Sequence, residues 1–179
     1  GIKILSTGGT ANLLLKNKVP VTLISDYIGS KEMFEGRVKS LHLKIYAGIL
    51  ASRNNKKHME ELKKNNILPI DIVVVNLYPF EEKVGEKANF SEALENIDIG
   101  GPTLIRAAAK NFEDVLIIVD SNDYNSILEK IKNKKISNEL KQNLALKAFE
   151  YTARYDTIIN QYFNDKFMVK VYIARGEST

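Results

Sequence analysis

Cysteine is absent from this sequence of 179 residues, and histidine occurs only twice, at His42 and His58. Without cysteine the chain has no disulfide, no thiolate nucleophile and no cysteine-ligated zinc or iron–sulfur centre. Two histidines are also too few for the usual histidine-rich zinc sites. We therefore expect no metal site.

Long apolar stretches are missing as well. No run approaches the ~20 residues that span a bilayer, and no signal peptide precedes the first predicted strand. We therefore expect a cytoplasmic protein with no membrane partner. The net charge is only +4, and the lysine clusters at 56–57, 63–64 and 130–135 alternate with acids or end helices, without interleaved aromatics. This pattern is typical of solvated faces and predicts no nucleic-acid partner.

What remains is the pattern of an α/β domain. Apolar, β-branched runs at 2–6, 21–25, 70–78 and 115–119 predict strands, and helical segments separate them. Strands that alternate with helices predict a three-layer domain, with a mainly parallel sheet and helices on both faces. We predict that residues 1–163 form this domain. Residues 137–163 read as a helix in two pieces, whose apolar positions include Tyr151 and Tyr155, and residues 164–179 as an edge strand or tail, because 167–173 alternates. Ser91 is the predicted N-cap of a short helix, and His42 is either a polar core residue or a site residue.

The chain is organised around residues 95–111. Asp98 ends a short apolar run, Gly100 and Gly101 follow, and Pro102 is suited to the first turn of a helix. The glycines let backbone come close to whatever lies before that helix, whose free N–H groups favour an anion or a developing oxyanion. Lys110 lies two turns further on. A plain buried helix with a glycine–proline entry turn explains the same residues equally simply.

Three other segments carry polar residues where parallel strands or turns end. The segment Ser6-Thr-Gly-Gly-Thr10 joins a strand to a helix, an arrangement that offers N–H groups to a phosphate. Arg37, Lys39 and Ser40 follow a glycine and suit a phosphate or a carboxamide, although a surface amphipathic segment would look the same. Asn76 and Tyr78 follow a buried strand, where open α/β sheets bind ligands; a capping Asn and a packed Tyr are the alternative.

Together these motifs resemble the inosine monophosphate (IMP) cyclohydrolase domain. The resemblance rests on Ser6–Thr10, on Glu35-Gly-Arg-Val-Lys-Ser-Leu-His42, on Asn76-Leu-Tyr-Pro-Phe80, and on Asn96-Ile-Asp-Ile-Gly-Gly-Pro-Thr103 through Asn111. Lys147 to Asp156 also resembles the helix that closes that domain. The family forms the amino-terminal half of a bifunctional purine biosynthesis protein and has a fold similar to methylglyoxal synthase. The resemblance covers residues 2–163 in order.

The resemblance implies a reaction and a role for each matching residue. The reaction closes 5-formamidoimidazole-4-carboxamide ribonucleotide (FAICAR) to IMP with loss of water, and needs no metal, nucleotide cofactor or folate. Lys110 would stabilise and protonate the formyl oxygen, Asp98 would hold the carboxamide, and Lys39 and Tyr78 would complete the donor set. The residues implied in substrate binding are Thr7, Gly8, Gly9, Thr10, Arg37 and Ser40 for the ribose phosphate, Asn76 for the base, and Gly100 and Gly101 for backbone access to the ring. The resemblance also implies a homodimer.

Some positions depart from the family pattern. Ser40 replaces the usual threonine and keeps the hydroxyl, whereas Leu43 and Tyr46 replace a usual proline and a frequent histidine. The family's first strand, first helix and a Ser-Val-Ser-Asp-Lys type phosphate loop do not precede Gly1. We therefore expect weak substrate binding by this chain taken alone, unless residues 169–179 supply a permuted replacement. The family's formyl-transferring half is missing too, so we expect no formyl transfer by this chain alone and a formyl-transferring domain as its partner in a full-length protein.

Other functions remain open on the same fold. A non-catalytic module that binds a phosphorylated effector would use the Thr7–Thr10 turn without needing Asp98 and Lys110 as a pair. Methylglyoxal synthase would require an aspartate and histidine set that has no evident counterpart in this sequence. A structural remnant without a ligand is the third alternative.

Overall fold

The computed structural model describes residues 1–77, 80 and 89–176, with side chains through Phe167. The strands of these ranges are β1 (Leu5–Ser6), β2 (Thr22–Leu23), β3 (Ile72–Val74) and β4 (Leu116–Ile118). The helices are α1 (Gly8–Lys16), α2 (Ile24–Ile28), α3 (Leu43–Leu50), α4 (Lys56–Lys64), α5 (Phe90–Glu95), α6 (Gly100–Lys110), α7 (Tyr124–Lys132) and α8 (Asn138–Gly176). Short 3₁₀ turns occupy Phe34–Gly36 and Ser121–Asp123.

All strand pairing among these elements is parallel, and it forms two ladders. β1 pairs with β2 with Leu5 opposite Thr22, and β3 pairs with β4 with Ile72 opposite Leu116. Parallel strands joined through helices confirm the predicted α/β class. The strands are shorter than their apolar runs. In the second run, residues 21–25, helix α2 already begins at Ile24, and Gly29 ends that helix in the left-handed conformation with a φ of +75°.

The core lies between β4, α6 and α8. Every residue from Val115 to Val119 is buried, as predicted for this strand. The run 70–78 was also predicted to be a buried strand, but Val74 of β3 is 51% exposed, so that strand is not buried on both faces. Helix α6 turns Ile105 and the three alanines 107–109 inward, and it packs against both β4 and α8. Alanine at these positions lets the helix backbone approach its neighbours closely. Thus α6 is fixed along its whole length, and so is the turn from which it starts.

The C-terminal segment differs from its prediction. Residues 138–176 form one continuous helix, rather than a helix in two pieces followed by an edge strand over 167–173. Residues 169–173 therefore do not form the replacement strand that a permutation would require. The physical reason is that no proline or glycine occurs between residues 138 and 175. Aromatic residues one turn apart also support the helix, since the rings of Phe163 and Phe167 stack with centroids 5.5 Å apart.

Two predicted polar positions also receive a different structural role. The N-cap of α5 is Asn89 instead of Ser91: Asn89 accepts from the Glu92 N–H at 2.9 Å, and the Glu92 carboxylate accepts from the Asn89 N–H at 3.1 Å. This reciprocal pair is a capping box. His42, which the sequence left as a core or site residue, caps α3, where its Nδ1 accepts from the Lys44 N–H at 3.1 Å.

Candidate functional site

The centre of the candidate site is the turn from Asp98 to Gly101, which we call the acid turn. The Asp98 carboxylate accepts a hydrogen bond from the Gly101 N–H at 2.9 Å. The carboxylate therefore lies at the N-terminus of α6, where free N–H groups and the helix dipole favour negative charge. Asp98 is half-buried, and its own N–H donates to the Tyr155 hydroxyl at 2.8 Å.

Both glycines of the acid turn lie in close contact with neighbouring side chains. A Cβ on Gly100 would lie 2.8 Å from the Ser40 hydroxyl oxygen and 3.9 Å from the Asp98 carboxylate. A Cβ on Gly101 would overlap the Asp98 carboxylate and lie 2.5 Å from a methyl group of Leu77. The fold therefore brings four predicted site residues together, namely Ser40, Asp98, Gly100 and Gly101. Ser40 is buried in this cluster.

The segment that carries Arg37, Lys39 and Ser40 follows a strained turn. Met33 and Val38 form an antiparallel bridge, and between them Phe34 and Glu35 adopt φ angles of 54° and 57°. Such conformations cost on the order of 1–3 kcal/mol each outside glycine and concentrate at functional sites. The turn thus directs the segment 37–40 toward the acid turn.

Arg37 is held by a carboxylate in this structure. Its guanidinium forms a two-pronged pair with Glu95 of α5, in which Nε donates at 3.2 Å and the terminal nitrogen donates to the other oxygen. The hydrogen bond to Glu95 raises the pKa of Arg37, so the residue stays a cation at every accessible pH. Both partners are exposed, which makes the pair easy to exchange for a phosphate. Lys39 is exposed.

The start of α1 carries the residues for which the sequence predicted phosphate binding. Thr7 is the N-cap, but its side chain makes no capping hydrogen bond. Gly8 has a φ of +51°, and a Cβ on Gly8 or Gly9 would meet nothing within 4 Å. Gly8, Gly9 and Thr10 are exposed. Open space in front of uncapped N–H groups is what a phosphate requires.

Asn76 is fully engaged at the ends of β3 and β4. Its amide nitrogen donates to the Val119 carbonyl at 2.9 Å, and its amide oxygen accepts from the Tyr124 hydroxyl at 2.6 Å. It also lines a cleft of about 420 Å³ whose other walls include Asp120, Lys147 and Arg154. Asn76 thus ties two strand ends to α7. Its neighbour Tyr78, a predicted catalytic residue, lies outside the described residues.

Lys110 is not brought to the acid turn within one chain. It is the last residue of α6 and is exposed. It comes nine residues after Gly101, which at ~1.5 Å per residue is about 13 Å along the helix and beyond the reach of a lysine side chain. The sequence spacing suggested proximity, whereas the helix places the two residues at opposite ends.

Three tyrosines hold this region, and sequence reasoning did not assign them to the site. Tyr46 on α3 bonds the Thr103 hydroxyl at 2.7 Å, and burial raises its pKa. Tyr151 and Tyr155 on α8 bond the backbone of Leu77 and of Asp98. For Tyr151 and Tyr155, the position in an apolar helical stripe predicted core packing. The signal available in the sequence was the four-residue spacing of these two tyrosines, because buried tyrosines at that spacing direct their hydroxyls at the same neighbouring surface.

The described part of the chain contains no group of three or more side chains suited to hold a metal ion. None of its helices combines the length and the apolar character that a bilayer crossing requires.

Comparison with known proteins places the chain among related sequences along most of its length. A family model described as "MGS-like domain" matches residues 1–103, and one described as "AICARFT/IMPCHase bienzyme" matches residues 108–177. The relatives include the bifunctional purine biosynthesis protein PurH of Acetivibrio thermocellus, 52% identical over 168 residues, which are 93% of this chain and 33% of that protein. PurH of Prochlorococcus marinus strain NATL2A is 50% identical over 173 residues, which are 96% of this chain and 33% of that protein.

The chain thus spans about a third of the length of the curated relatives it matches. A solved structure titled "Crystal structure of ForH" superimposes with a TM-score of 0.82 at 31% identity, covering 90% of this chain and 84% of that one. The parallel ladders, the glycine turn before α1 and the match over residues 1–103 agree with one another. This chain belongs to the MGS-like domain family.

Proposed function

We propose that this chain is an IMP cyclohydrolase, which closes the second ring of FAICAR to give IMP in de novo purine biosynthesis. The observation that carries the proposal is the identity of about half of all residues to PurH proteins along more than nine-tenths of the chain. The acid turn supports it, since it joins a carboxylate, a hydroxyl and a helix N-terminus in one cluster.

The proposed reaction sets three demands. The carboxamide nitrogen attacks the formyl carbon, so the two groups must be held in near-attack geometry. Negative charge then develops on the formyl oxygen, which needs preset donors. Finally the carboxamide nitrogen and the formamide nitrogen each lose one proton, and the formyl oxygen leaves as water with both, which requires a base and an acid. A carbon–nitrogen bond forms and a carbon–oxygen bond breaks, with no oxidation or reduction.

The acid turn is proposed to serve the first demand and to supply the base of the third. We assign Asp98 to hold the carboxamide and accept its proton, and Gly100 and Gly101 to let the backbone reach the ring. Lys39 and Tyr78 are the proposed donors to the formyl oxygen. Thr7, Gly8, Gly9, Thr10, Arg37 and Ser40 are proposed to hold the ribose phosphate. In that case the phosphate replaces Glu95 as the partner of Arg37. The heterocyclic base of the substrate likewise replaces the Tyr124 hydroxyl as a partner of Asn76.

Lys110 remains the proposed proton source, but it must then act from a second copy of the chain. About 13 Å of helix separates it from the acid turn of its own chain. A homodimer, which we propose as the functional state, would bring Lys110 of one protomer to the acid turn of the other. The other proposed associations are a formyl-transferring domain in the full-length protein and a location in the cytoplasm.

The proposal is tested by adding FAICAR to the protein and following the ultraviolet absorbance change of ring closure. We expect turnover by the wild type, and a decrease of kcat by at least ~10²-fold for Lys110→Ala and for Asp98→Asn, with modest change in substrate binding. Phosphate-dependent binding of FAICAR without ring closure would instead indicate the non-catalytic effector module.

A further inference from the structure

Two tyrosines on one face of α8 bind the backbone of two separate loops. Tyr151 and Tyr155 are four residues apart, so their side chains lie one above the other. The Tyr151 hydroxyl accepts from the Leu77 N–H at 3.1 Å and donates to the Leu77 carbonyl at 3.4 Å. The Tyr155 hydroxyl accepts from the Asp98 N–H at 2.8 Å. Leu77 belongs to the loop after β3, and Asp98 opens the acid turn.

The same two loops touch each other at Gly101. The Leu77 side chain and the Asp98 carboxylate both lie so close to Gly101 that neither leaves room for a Cβ. The loops therefore share one contact point, and two hydroxyls from a single helix fix their backbones on either side of it. In sequence Leu77 directly precedes Tyr78, and Asp98 carries the proposed base, so both loops lead to residues of the proposed reaction.

We propose that Tyr151 and Tyr155 are positioning residues that set the distance and orientation between Asp98 and the loop after β3 for ring closure. The proposal rests on the function proposed above. Neither tyrosine needs to touch the substrate. Each acts by giving a backbone N–H of a site loop one defined partner, since a buried N–H without an acceptor is costly and the loop would shift to find another.

The environment of Tyr155 suits this task. Its side chain is 6% exposed, so water does not compete for the Asp98 N–H. Burial raises the pKa of Tyr155, and the nearby Asp98 carboxylate also raises it. The hydroxyl therefore stays neutral throughout the physiological range. A hydroxyl that remained ionised would repel the Asp98 carboxylate and open the turn.

The decisive variant is Tyr155→Phe, which keeps the ring and removes only the acceptor. We expect kcat for ring closure to fall by ~10- to 10²-fold, because small misplacements of a reacting group cost this much, with KM changed by less than about threefold. Amide hydrogen exchange at Asp98 should become faster. Tyr151→Phe should likewise make amide hydrogen exchange at Leu77 faster, and it should lower kcat by a smaller factor.

Tyr162→Phe is the matched control. Tyr162 lies on the same helix, and its buried hydroxyl has no hydrogen-bond partner in the described part of the chain. This change should leave kcat, KM and the exchange of the Asp98 amide as in the wild type. It separates the loss of a hydroxyl on α8 from the loss of the two hydroxyls that bind site loops.

The outcomes are distinguishable. If the wild type does not close FAICAR, the proposed function fails, and the role in ring closure fails with it. If the wild type is active but Tyr155→Phe keeps full kcat per folded molecule, or keeps the slow exchange of the Asp98 amide, the positioning role is overturned. A decrease in thermal stability alone, with unchanged kcat, would leave Tyr155 with a structural role only and would also overturn the proposal.

Discussion

At the residue scale the site depends on a missing side chain. Gly101 has only a hydrogen where any other residue would place a carbon against the Asp98 carboxylate and Leu77. The glycine is needed here for close approach of the backbone, since its φ is not positive. The Gly-Gly-Pro pattern predicted close approach of the backbone to whatever lies before the helix, and the groups that the structure places against Gly101 are Asp98 and Leu77. The pattern could not predict which side chains would fill the space.

We expect Gly101→Ala to lower the free energy of unfolding by about 1–3 kcal/mol, the usual cost of overpacking a buried position. Urea denaturation measures it. Gly9→Ala is the control for stability, because a Cβ there meets nothing within 4 Å and alanine favours the helix it enters. Equal stability of the Gly101 variant and the wild type would show that the acid turn opens freely.

At the element scale the ends of helices are fixed by polar contacts that short patterns only partly reveal. Ser91 looked like the start of α5 because serine is a common N-cap. The N-cap is Asn89, because it can form the reciprocal pair of hydrogen bonds with Glu92 three residues later. The three-residue spacing from Asn89 to Glu92 is visible in the sequence, whereas Ser91 has Leu94 at the corresponding position. The prediction failed because it used the N-cap preference of serine without that spacing.

Asn89→Ala should therefore lower the free energy of unfolding by about 1 kcal/mol, because it removes a cap from α5. Ser91→Ala should change it by much less. Chemical denaturation of both variants checks the pair. The reverse order of the two effects would place the helix start at Ser91 after all.

A second contact between elements depends on pH. Lys147 of α8 donates to Asp120 and Asp123 at 2.7 Å each, and these residues flank the 3₁₀ turn before α7. The hydrogen bond from Lys147 lowers the pKa of Asp120, and the two carboxylates raise the pKa of Lys147. Because the pKa of Asp120 is lower in the folded state, its carboxylate stabilises the fold at pH values above the unfolded pKa of aspartate, about 3.9. This contribution is lost as the pH falls below that value.

We expect the wild-type melting temperature to decrease as the pH is lowered from 5 through the range below 4, and Lys147→Met to show a smaller decrease. The contribution of Lys147, whose pKa is higher in the folded state, to the stability of the fold would be lost only as the pH rises past about 10.4. Melting curves from pH 2.5 to 7 measure the difference. Parallel curves for both proteins would mean that the cluster contributes nothing in solution.

At the scale of the whole molecule the position of Lys110 decides how many chains make one site. If Lys110 serves the acid turn of a second copy, two inactive variants should repair each other. Mixed dimers of Asp98→Asn and Lys110→Ala contain one site with both native residues, so an equal mixture that exchanges subunits should recover about a quarter of wild-type activity. Continued inactivity of the mixture, with exchange verified by a tag, would contradict the shared site.

The class of fold could be predicted from the sequence because the short, unbroken apolar runs at 70–78 and 115–119 differ sharply from the 3.6-residue period of the helices around them. The contact between Ser40 and Gly100 could not be predicted from the sequence, since it joins positions 60 residues apart. The spacing of Asp98 and Lys110 suggested proximity because only about two helical turns separate them. Each turn, however, adds about 5.4 Å along the axis. The prediction for residues 167–173 failed for another reason: every position except Lys170 is apolar or aromatic, so the segment fixes neither a period of 2 nor one of 3.6.

Helix α8 has 39 residues and is therefore about 58 Å long, whereas a folded chain of this size has a radius of gyration of about 16 Å. Its far end thus reaches beyond the core, some 30 Å past Tyr155. Tyr151 and Tyr155, near the middle of this helix, hold the two loops that carry Leu77 and Asp98. The same helix therefore both supports the acid turn and extends well past it.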